Sequence, residues 1–410
     1  MSQPADALRQ AIEEHKAGRL ADAEAAYRHL LERRPDDPDA LNFLGMLRCQ
    51  SGDSAEAAAL LRRSVQAEPS NPHAWLNLGN VLMSLAKPEE ARTAFTRATE
   101  LAPDVAMAWF NLGVCLGRCK QPLEAASALH RALKIEPGHI PAYESLAHVL
   151  HRLGNYTEAA EVYREWQVHD PDNPIVRHML AATSGAAAPA RAADAYVRHL
   201  FDEFATSFDE NLASLRYQAP QLIAERLGRE AAGHAPGGAP RDILDAGCGT
   251  GLCGPLVRPL ARTLVGVDLS AGMIEQARAR GGYDELVVAE LCAFMSSRPG
   301  AFDVVISADT LVYFGALEEP LRCARGCLRG QGLLIFTVER WEPAPDCAAQ
   351  RASYRLQAHG RYAHSEGYVA AALEAAGFGG VSIESGFLRR ERGSDVTGLI
   401  VRARARDSAQ

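Results

Sequence analysis

No apolar run in this chain reaches the roughly 18 residues that would suggest a membrane span, so no membrane partner is expected. The opening residues, MSQPADALRQ, show no positively charged stretch followed by an apolar segment, so no secretory leader is expected either. A basic surplus is also missing. The formal net charge is −8, which disfavours nucleic acid as a bulk partner. Cysteines are few and odd in number, nine in all, and their scatter fits a soluble, reducing, cytoplasmic setting. Cys115/Cys119 and Cys323/Cys327 are each spaced i, i+4 on helical patterns, but zinc would need two such pairs, or Cys with His, converging in space. They read as small packed hydrophobes, and no metal is expected. What the chain does have is length: 410 residues exceed one ordinary core, and two domains are the natural division.

The first half is periodic. Prolines stand at 35, 69, 103, 137 and 171, always 34 residues apart, and Leu44, Leu78, Leu112 and Leu146 keep the same step. So do Gly45, Gly79, Gly113 and Ala147, the alanines at 23, 57, 91, 125 and 159, and the aromatics Trp75, Trp109 and Tyr143. A small residue lets the two helices of a hairpin approach, an aromatic fills the groove it opens, and proline ends the second helix. This pattern resembles the tetratricopeptide repeat, in five copies over residues 4–173, with PIVRHMLAAT (174–183) as a capping helix. The expected domain is an all-α superhelix over 1–182.

The resemblance implies that a protein or peptide binds the concave face, which the first helix of each repeat lines. Asn77 and Asn111 share one register there, where related arrays hold a peptide backbone, and Ser145 replaces them in the next copy. Asparagine is also simply common at this position, and both readings stand. Asn80, Arg118, His148, His151 and Arg152 on the same face give no charge preference.

Small residues and a proline over 183–193 read as a linker. Residues 194–230 follow as connecting helices, with Phe201, Phe204 and Phe208 at helical spacing. From 241 to 407 strand-like and helix-like runs alternate, the pattern of a mostly parallel sheet of seven strands covered on both faces. The last two strands, 381–385 and 397–404, lack a helix between them and suit an antiparallel edge.

The glycine-rich stretch DILDAGCGTGLCG (242–254) closes the first of these strands. No lysine follows its glycines, so it is no NTP-binding P-loop. Gly249, Gly251 and Gly254 satisfy the dinucleotide pattern, and Asp268 lies about where that pattern wants an acid. Asp245, two residues before Gly247, would repel a pyrophosphate but favour an ammonium or sulfonium. Asp-x-Gly-x-Gly-x-Gly, then GVDLSAGMIEQARAR (266–280), VVAEL (287–291) and FDVVISADTLVYF (302–314), resemble the four motifs of class I S-adenosylmethionine (SAM) methyltransferases, a match over 241–340 with a Rossmann-like fold.

That resemblance implies SAM as cofactor. Gly247, Gly249 and Gly251 would admit its amino-acid and ribose parts, with Asp245 near its amino group. Asp268 would accept both ribose hydroxyls. Leu269 and Met273 would border the adenine, and Glu290, with Leu291 beside it, would accept from the adenine N6 amine. Asp309 would face the methionine end or the acceptor. Acceptor candidates come late: Tyr362 and His364, the latter as base, and Arg361, Arg389 and Arg390 as carboxylate binders. His364 also stands where a helix begins, with Ser365 as its cap.

FDEFATSFDENL (201–212) repeats Phe-Asp, resembling the helix that closes over SAM in many relatives, and Tyr217 is expected near that lid. The whole chain resembles bacterial methyltransferases carrying tetratricopeptide repeats. The function implied is methyl transfer to an O or N acceptor on a protein or peptide recruited by the repeats. Two alternatives stay open: a small-molecule carboxylate or phenol methyltransferase whose repeats only assemble a complex, and a non-catalytic SAM-responsive scaffold.

Overall fold

A computed structural model describes residues 4–185, 188–232, 240–342 and 354–407. The chain divides into two compact units, Met1–Pro171 and Asp172–Gln410. The first is a row of five helical hairpins: α1/α2 (Pro4–Lys16, Leu20–Arg33), α3/α4 (Pro38–Gln50, Ser54–Ala67), α5/α6 (Pro72–Ser84, Pro88–Leu101), α7/α8 (Ala106–Arg118, Pro122–Ile135) and α9/α10 (Ile140–Leu153, Tyr156–His169). Asp37, Asp53 and Asn71 cap helix starts by accepting backbone N–H groups, and prolines 38, 72, 88 and 122 occupy first turns where no N–H is needed. Each second helix ends two residues before its repeat proline.

The small-residue register works as the period implies. A Cβ on Gly45 would stand 2.8 Å from Leu61 Cγ, one on Gly113 2.6 Å from Leu129 Cγ, and one on Gly79 would enter the Phe95 ring. The aromatic register works differently from expectation. Trp75 and Trp109 do not fill that groove; their indole N–H groups donate to the carbonyls of Pro69 at 2.9 Å and Pro103 at 3.0 Å. An indole N–H needs an acceptor, and the proline loop supplies one. Tyr143 alone is buried, stacked on Trp166.

The helix expected to cap the repeats, α11 (Pro174–Ser184), groups with the second unit. Its buried His178 donates from Nε2 to the Gly360 carbonyl at 2.8 Å and stacks on Tyr196. Then come α12 (Asp194–Phe204), α13 (Phe208–Ser214) and α14 (Ala219–Ala232). The α/β part follows: β1 (Arg241–Ala246), α15 (Gly254–Val257), β2 (Ala261–Asp268), α16 (Ala271–Arg280), β3 (Glu285–Val288), α17 (Leu291–Ser296), β4 (Phe302–Ser307), α18 (Glu318–Cys327) and β5 (Leu328–Arg340). It ends with β6 (Tyr354–Leu356), β7 (Tyr362–His364), α19 (Glu366–Ala375), β8 (Phe378–Glu391) and β9 (Ser394–Ala405).

Seven strands make the main sheet in the order β3-β2-β1-β4-β5-β9-β8, with β1 to β5 parallel and β9 antiparallel to both neighbours. The antiparallel strand is therefore not at the edge. The tight turn after Glu391 makes β8 and β9 a hairpin, β9 takes the place beside β5, and β8 becomes the edge. The short β6/β7 hairpin adds two more strands among the described residues, joining β5 at Glu339 and Arg340. Alternation sends Ile243, Val304 and Ile335 to the face covered by α14 and α15, and Leu244, Val305 and Phe336 to the face covered by α17, α18 and α19. Burial on both faces explains why these strands are continuously apolar in sequence. Among the described residues no helix is long and apolar enough to cross a membrane.

Candidate functional site

Parallel α/β sheets bind ligands beyond the strand carboxyl ends, where the strand order reverses. Here that point lies between β1 and β4, and a cavity of about 340 Å³ opens there, a size usual for ligand pockets. The turn after β1 puts Gly247 at φ +80° and Gly249 at φ +53°, left-handed conformations that favour glycine. A Cβ on Gly247 would collide with Thr310, whereas one on Gly249 would meet nothing within 4 Å. Both residues line the cavity. Gly251 does not; a Cβ there would press on Tyr283 and Ala277.

Asp268, at the end of β2, also lines the cavity. Its Oδ2 accepts the Gly249 N–H and its Oδ1 the Ser270 N–H, each at 2.9 Å. Burial raises its pKa, and these two bonds oppose the rise. A carboxylate has about four lone-pair sites, so two remain. Asp245 is placed differently. It is fully buried outside the cavity lining, its Oδ2 accepts the Tyr283 hydroxyl at 2.6 Å, and its Oδ1 has no partner. Burial pushes its pKa up to about 7.

Leu269, Glu290 and Leu291 line the cavity, while Met273 is fully buried outside the lining. Glu290 is already engaged: Oε2 caps α17 by accepting the Ala293 N–H at 2.7 Å, and Oε1 accepts from Arg191 at 2.9 Å. Arg191 is a residue that sequence reasoning missed. It lines the cavity from the stretch expected to be plain linker and lies over the Phe314 ring, 5.4 Å from its centroid. Backbone bonds hold this strap in place, from Ala192 N–H to the Tyr313 carbonyl at 2.8 Å and from Gly315 N–H to the Ala190 carbonyl at 2.9 Å. The only hint in the sequence was a lone arginine among small residues.

The Phe-Asp repeat divides its labour. Phe201, Phe204 and Phe208 line the cavity, with Phe201 edge-on to Phe208 and to Tyr313. The acids face the scaffold: Asp202 accepts from Ser270 Oγ at 2.5 Å, and Asp209 accepts from Thr250 Oγ1 at 2.6 Å and pairs with Arg280. Asp202 thereby sits at the start of α16, where an anion is favoured by the helix dipole. Tyr217 lines the same cavity, and burial holds its hydroxyl protonated.

Past β4, Asp309 lines the cavity with φ +53°, its N–H donating to Thr337 Oγ1 at 2.9 Å. Arg361, Arg389 and Glu391 line it too. Arg389 donates to Asp309 at 2.7 Å, to Glu391 at 2.5 Å and to the buried Glu339. Arg361 donates to Glu339 at 2.6 Å and to both oxygens of Glu391 at 2.7 and 2.8 Å. Burial would raise the Glu339 pKa, but Arg361, His359 and Arg389 hold it well below the usual carboxylate range. The two arginines expected to receive a substrate carboxylate are thus satisfied by internal ones.

The remaining acceptor candidates lie elsewhere. His364 is fully buried outside the lining; its Nε2 donates to the carbonyls of Phe314 at 2.9 Å and Gly315 at 3.1 Å, and burial lowers its pKa to about 4. Its Nδ1 has no partner, but the ring is buried outside the lining, where a ligand in the cavity does not reach it. Tyr362, also fully buried, donates its hydroxyl to the Pro189 carbonyl at 2.7 Å and so anchors the strap. Arg390 is exposed and donates to the Gly393 carbonyl. In the repeats, Asn77 donates to Asn42 at 3.0 Å and Asn111 to Asn80 at 2.9 Å, so the shared register forms side-chain pairs between successive repeats. Among the described residues no group of three or more His, Cys, Asp or Glu is placed to hold a metal ion.

Comparison with known proteins agrees with both halves. A family described as methyltransferase domain matches residues 244–336. Families described as tetratricopeptide repeat match 8–72, 48–109 and 120–183. Over 120 residues the chain is 39% identical to human "Methyltransferase-like protein 27", covering 28% of this chain and 46% of that one. Over 106 residues it is 37% identical to a "Malonyl-[acyl-carrier protein] O-methyltransferase" of Legionella pneumophila, covering 24% and 37%. The chain thus spans less than half of each of these relatives. Its helical part is similar to the solved structure of YrrB, "a TPR protein with an unusual peptide-binding site", at 24% identity, covering 42% of this chain and 89% of that one with a TM-score of 0.39. The chain joins tetratricopeptide repeats to a methyltransferase domain.

Proposed function

We propose that the second unit transfers a methyl group from SAM to an O or N acceptor, on a protein or peptide that the repeats recruit. The observation that carries this reading is Asp268: a buried carboxylate at the end of β2, fixed by two backbone N–H groups, with lone pairs to spare toward a cavity that Gly249 leaves open. Those features fit SAM. Asp268 would hold the ribose hydroxyls, Gly247 and Gly249 would admit the donor close to the backbone, and Leu269 and Leu291 would border its base. Asp245, expected near the donor's amino group, is buried outside the cavity lining and would act on that ligand only from behind the glycine turn, without contact. Glu290 is a weaker candidate for the adenine amine, because Arg191 and Ala293 already engage it.

When bound, SAM supplies an electrophilic methyl group on a sulfonium. This chain's own residues would align and dry the site: in-line displacement gains most from holding both partners in register, and Phe201, Phe204 and Phe208, which line the cavity, would exclude water around the donor. Asp309, which lines the cavity as His364 does not, would take a proton from an acceptor.

Titrating SAM into the wild type and Asp268→Ala tests the donor site. A loss of roughly 3 kcal/mol, two charge-assisted hydrogen bonds of about 1.5 kcal/mol each, corresponds to an affinity at least a hundredfold weaker. Equal affinities would sink the assignment. Methyl-labelled SAM added to a host lysate tests recruitment: Asn77→Ala/Asn111→Ala should lower the labelling of polypeptides by full-length protein. Label found only in small molecules would favour the small-molecule reading instead.

A further inference from the structure

If the cavity holds a methyl donor, as proposed above, the groups beyond β4 define what the donor can meet. Three carboxylates and two guanidinium groups interlock there: Asp309, Glu339 and Glu391 with Arg361 and Arg389. Arg389 spends each of its three nitrogens on a different carboxylate, and Arg361 spends Nε on one and Nη2 on another. An entering carboxylate would find both lining cations, Arg361 and Arg389, engaged, with Asp309 and Glu391 lining the cavity beside them, and the three carboxylates of the network outnumber its two guanidiniums. A phenol enters uncharged and would bring no counter-charge to the two lining carboxylates.

The same groups suit a cation. Asp309 Oδ1 receives the Thr337 hydroxyl and Oδ2 one arm of Arg389, so each oxygen keeps a lone pair. Asp309 has a left-handed backbone, φ +53°, a conformation that Asp adopts more readily than most side chains. Tyr217 and Tyr313 line the same cavity, and aromatic rings attract a cation.

We propose that the methyl acceptor is an amine, held as its ammonium by Asp309 and Glu391 beside the rings of Tyr217 and Tyr313. The ammonium passes one proton to the free lone pair of Asp309. The uncovered nitrogen lone pair forms the new N–C bond as the methyl carbon's bond to sulfur breaks, the electron pair staying on sulfur. The positive charge moves from sulfur to nitrogen, and the protonated Asp309 returns its proton to water after release. Asp309 is thereby the catalytic base, and Arg389 a positioning residue that keeps its carboxylate in place.

Two measurements on the full-length protein test this. In the first, 2-phenylethylamine and 3-phenylpropionate, which share a skeleton, are titrated into the protein without donor. The amine should bind at least tenfold more tightly, and Asp309→Asn should erase that preference while SAM affinity stays within twofold. A carboxylate bound as tightly, or neither compound bound, overturns the proposal. In the second, polypeptides labelled from methyl-labelled SAM in host lysate are treated with mild alkali, with or without prior acylation of lysate amines. Label that survives alkali and is prevented by acylation supports the amine. Label released as methanol, label indifferent to acylation, or no label overturns it. Failure of SAM itself to bind would instead remove the donor reading on which the proposal rests.

Discussion

Replacing Asp209 by alanine cuts one of the side-chain tethers that hold the α12–α13 segment beside the cavity. Thr250 loses its acceptor at 2.6 Å and Arg280 its ion-pair partner. The pair's side chains are 45% and 28% exposed, so screening leaves that part about 0.2–1 kcal/mol. A hydrogen bond to a charged acceptor contributes roughly 1.5–3 kcal/mol, and a half-exposed carboxylate belongs near the lower end. The total of about 2 kcal/mol is a factor of roughly thirty in the local opening of α13, since about 1.4 kcal/mol is tenfold. Native-state hydrogen exchange reads this ratio locally. The amides of α13 should therefore exchange about thirtyfold faster in Asp209→Ala, while those of β1 keep their rates. An unchanged rate in α13 would refute the idea that the second Phe-Asp is a latch.

Gly79→Ala should destabilise the repeat unit by about 1–3 kcal/mol, because its methyl would enter the Phe95 ring. Gly117→Ala, within α7 and facing open space, should stabilise it by up to about 1 kcal/mol; thermal unfolding distinguishes the two signs. His364 titrates near 6.5 when unfolded and near 4 when folded, so its contribution is present above pH 6.5 and is lost as pH falls toward 4, by up to about 3 kcal/mol. Asp245, raised to about 7, works oppositely: its burial costs most above pH 7. The stability difference between wild type and His364→Gln, followed by denaturant titration from pH 4 to 7.5, isolates the histidine and should grow with pH. Arg389→Met should cost about 3–5 kcal/mol by leaving buried carboxylates uncompensated; a midpoint within 1 °C of wild type would show the network to be dispensable.

What the sequence disclosed follows from how locally each feature is encoded. The repeats are legible because one spacing recurs five times, and the glycine turn because Gly247 and Gly249 need left-handed backbone within three residues of each other. The roles of the Phe-Asp repeat are legible for the same reason: ring and acid are neighbours, so they point different ways. The arginines were misjudged because their partners are remote. Glu339 lies 22 residues from Arg361 and 50 from Arg389, and no local pattern ties them. His364 and Tyr362 belong to a strand of three residues, too short for alternation to tell a cavity-facing side chain from a buried one. The position of β9 was hidden because a hairpin's two strands can attach to a sheet by either member, and only the register with β5 decides.

The strap formed by residues 188–193 changes how this protein can be taken apart. A protease or a gene designer looking for the seam between the two halves would choose that alanine- and proline-rich stretch. Yet Arg191 within it forms part of the cavity wall, Ala190 and Ala192 are stitched to the β4–α18 loop, and Pro189 accepts the Tyr362 hydroxyl. A fragment beginning at 194 would present a breached pocket, and its inactivity would be misread as dependence on the repeats. The compact unit begins at Asp172, and a cut there leaves the wall whole.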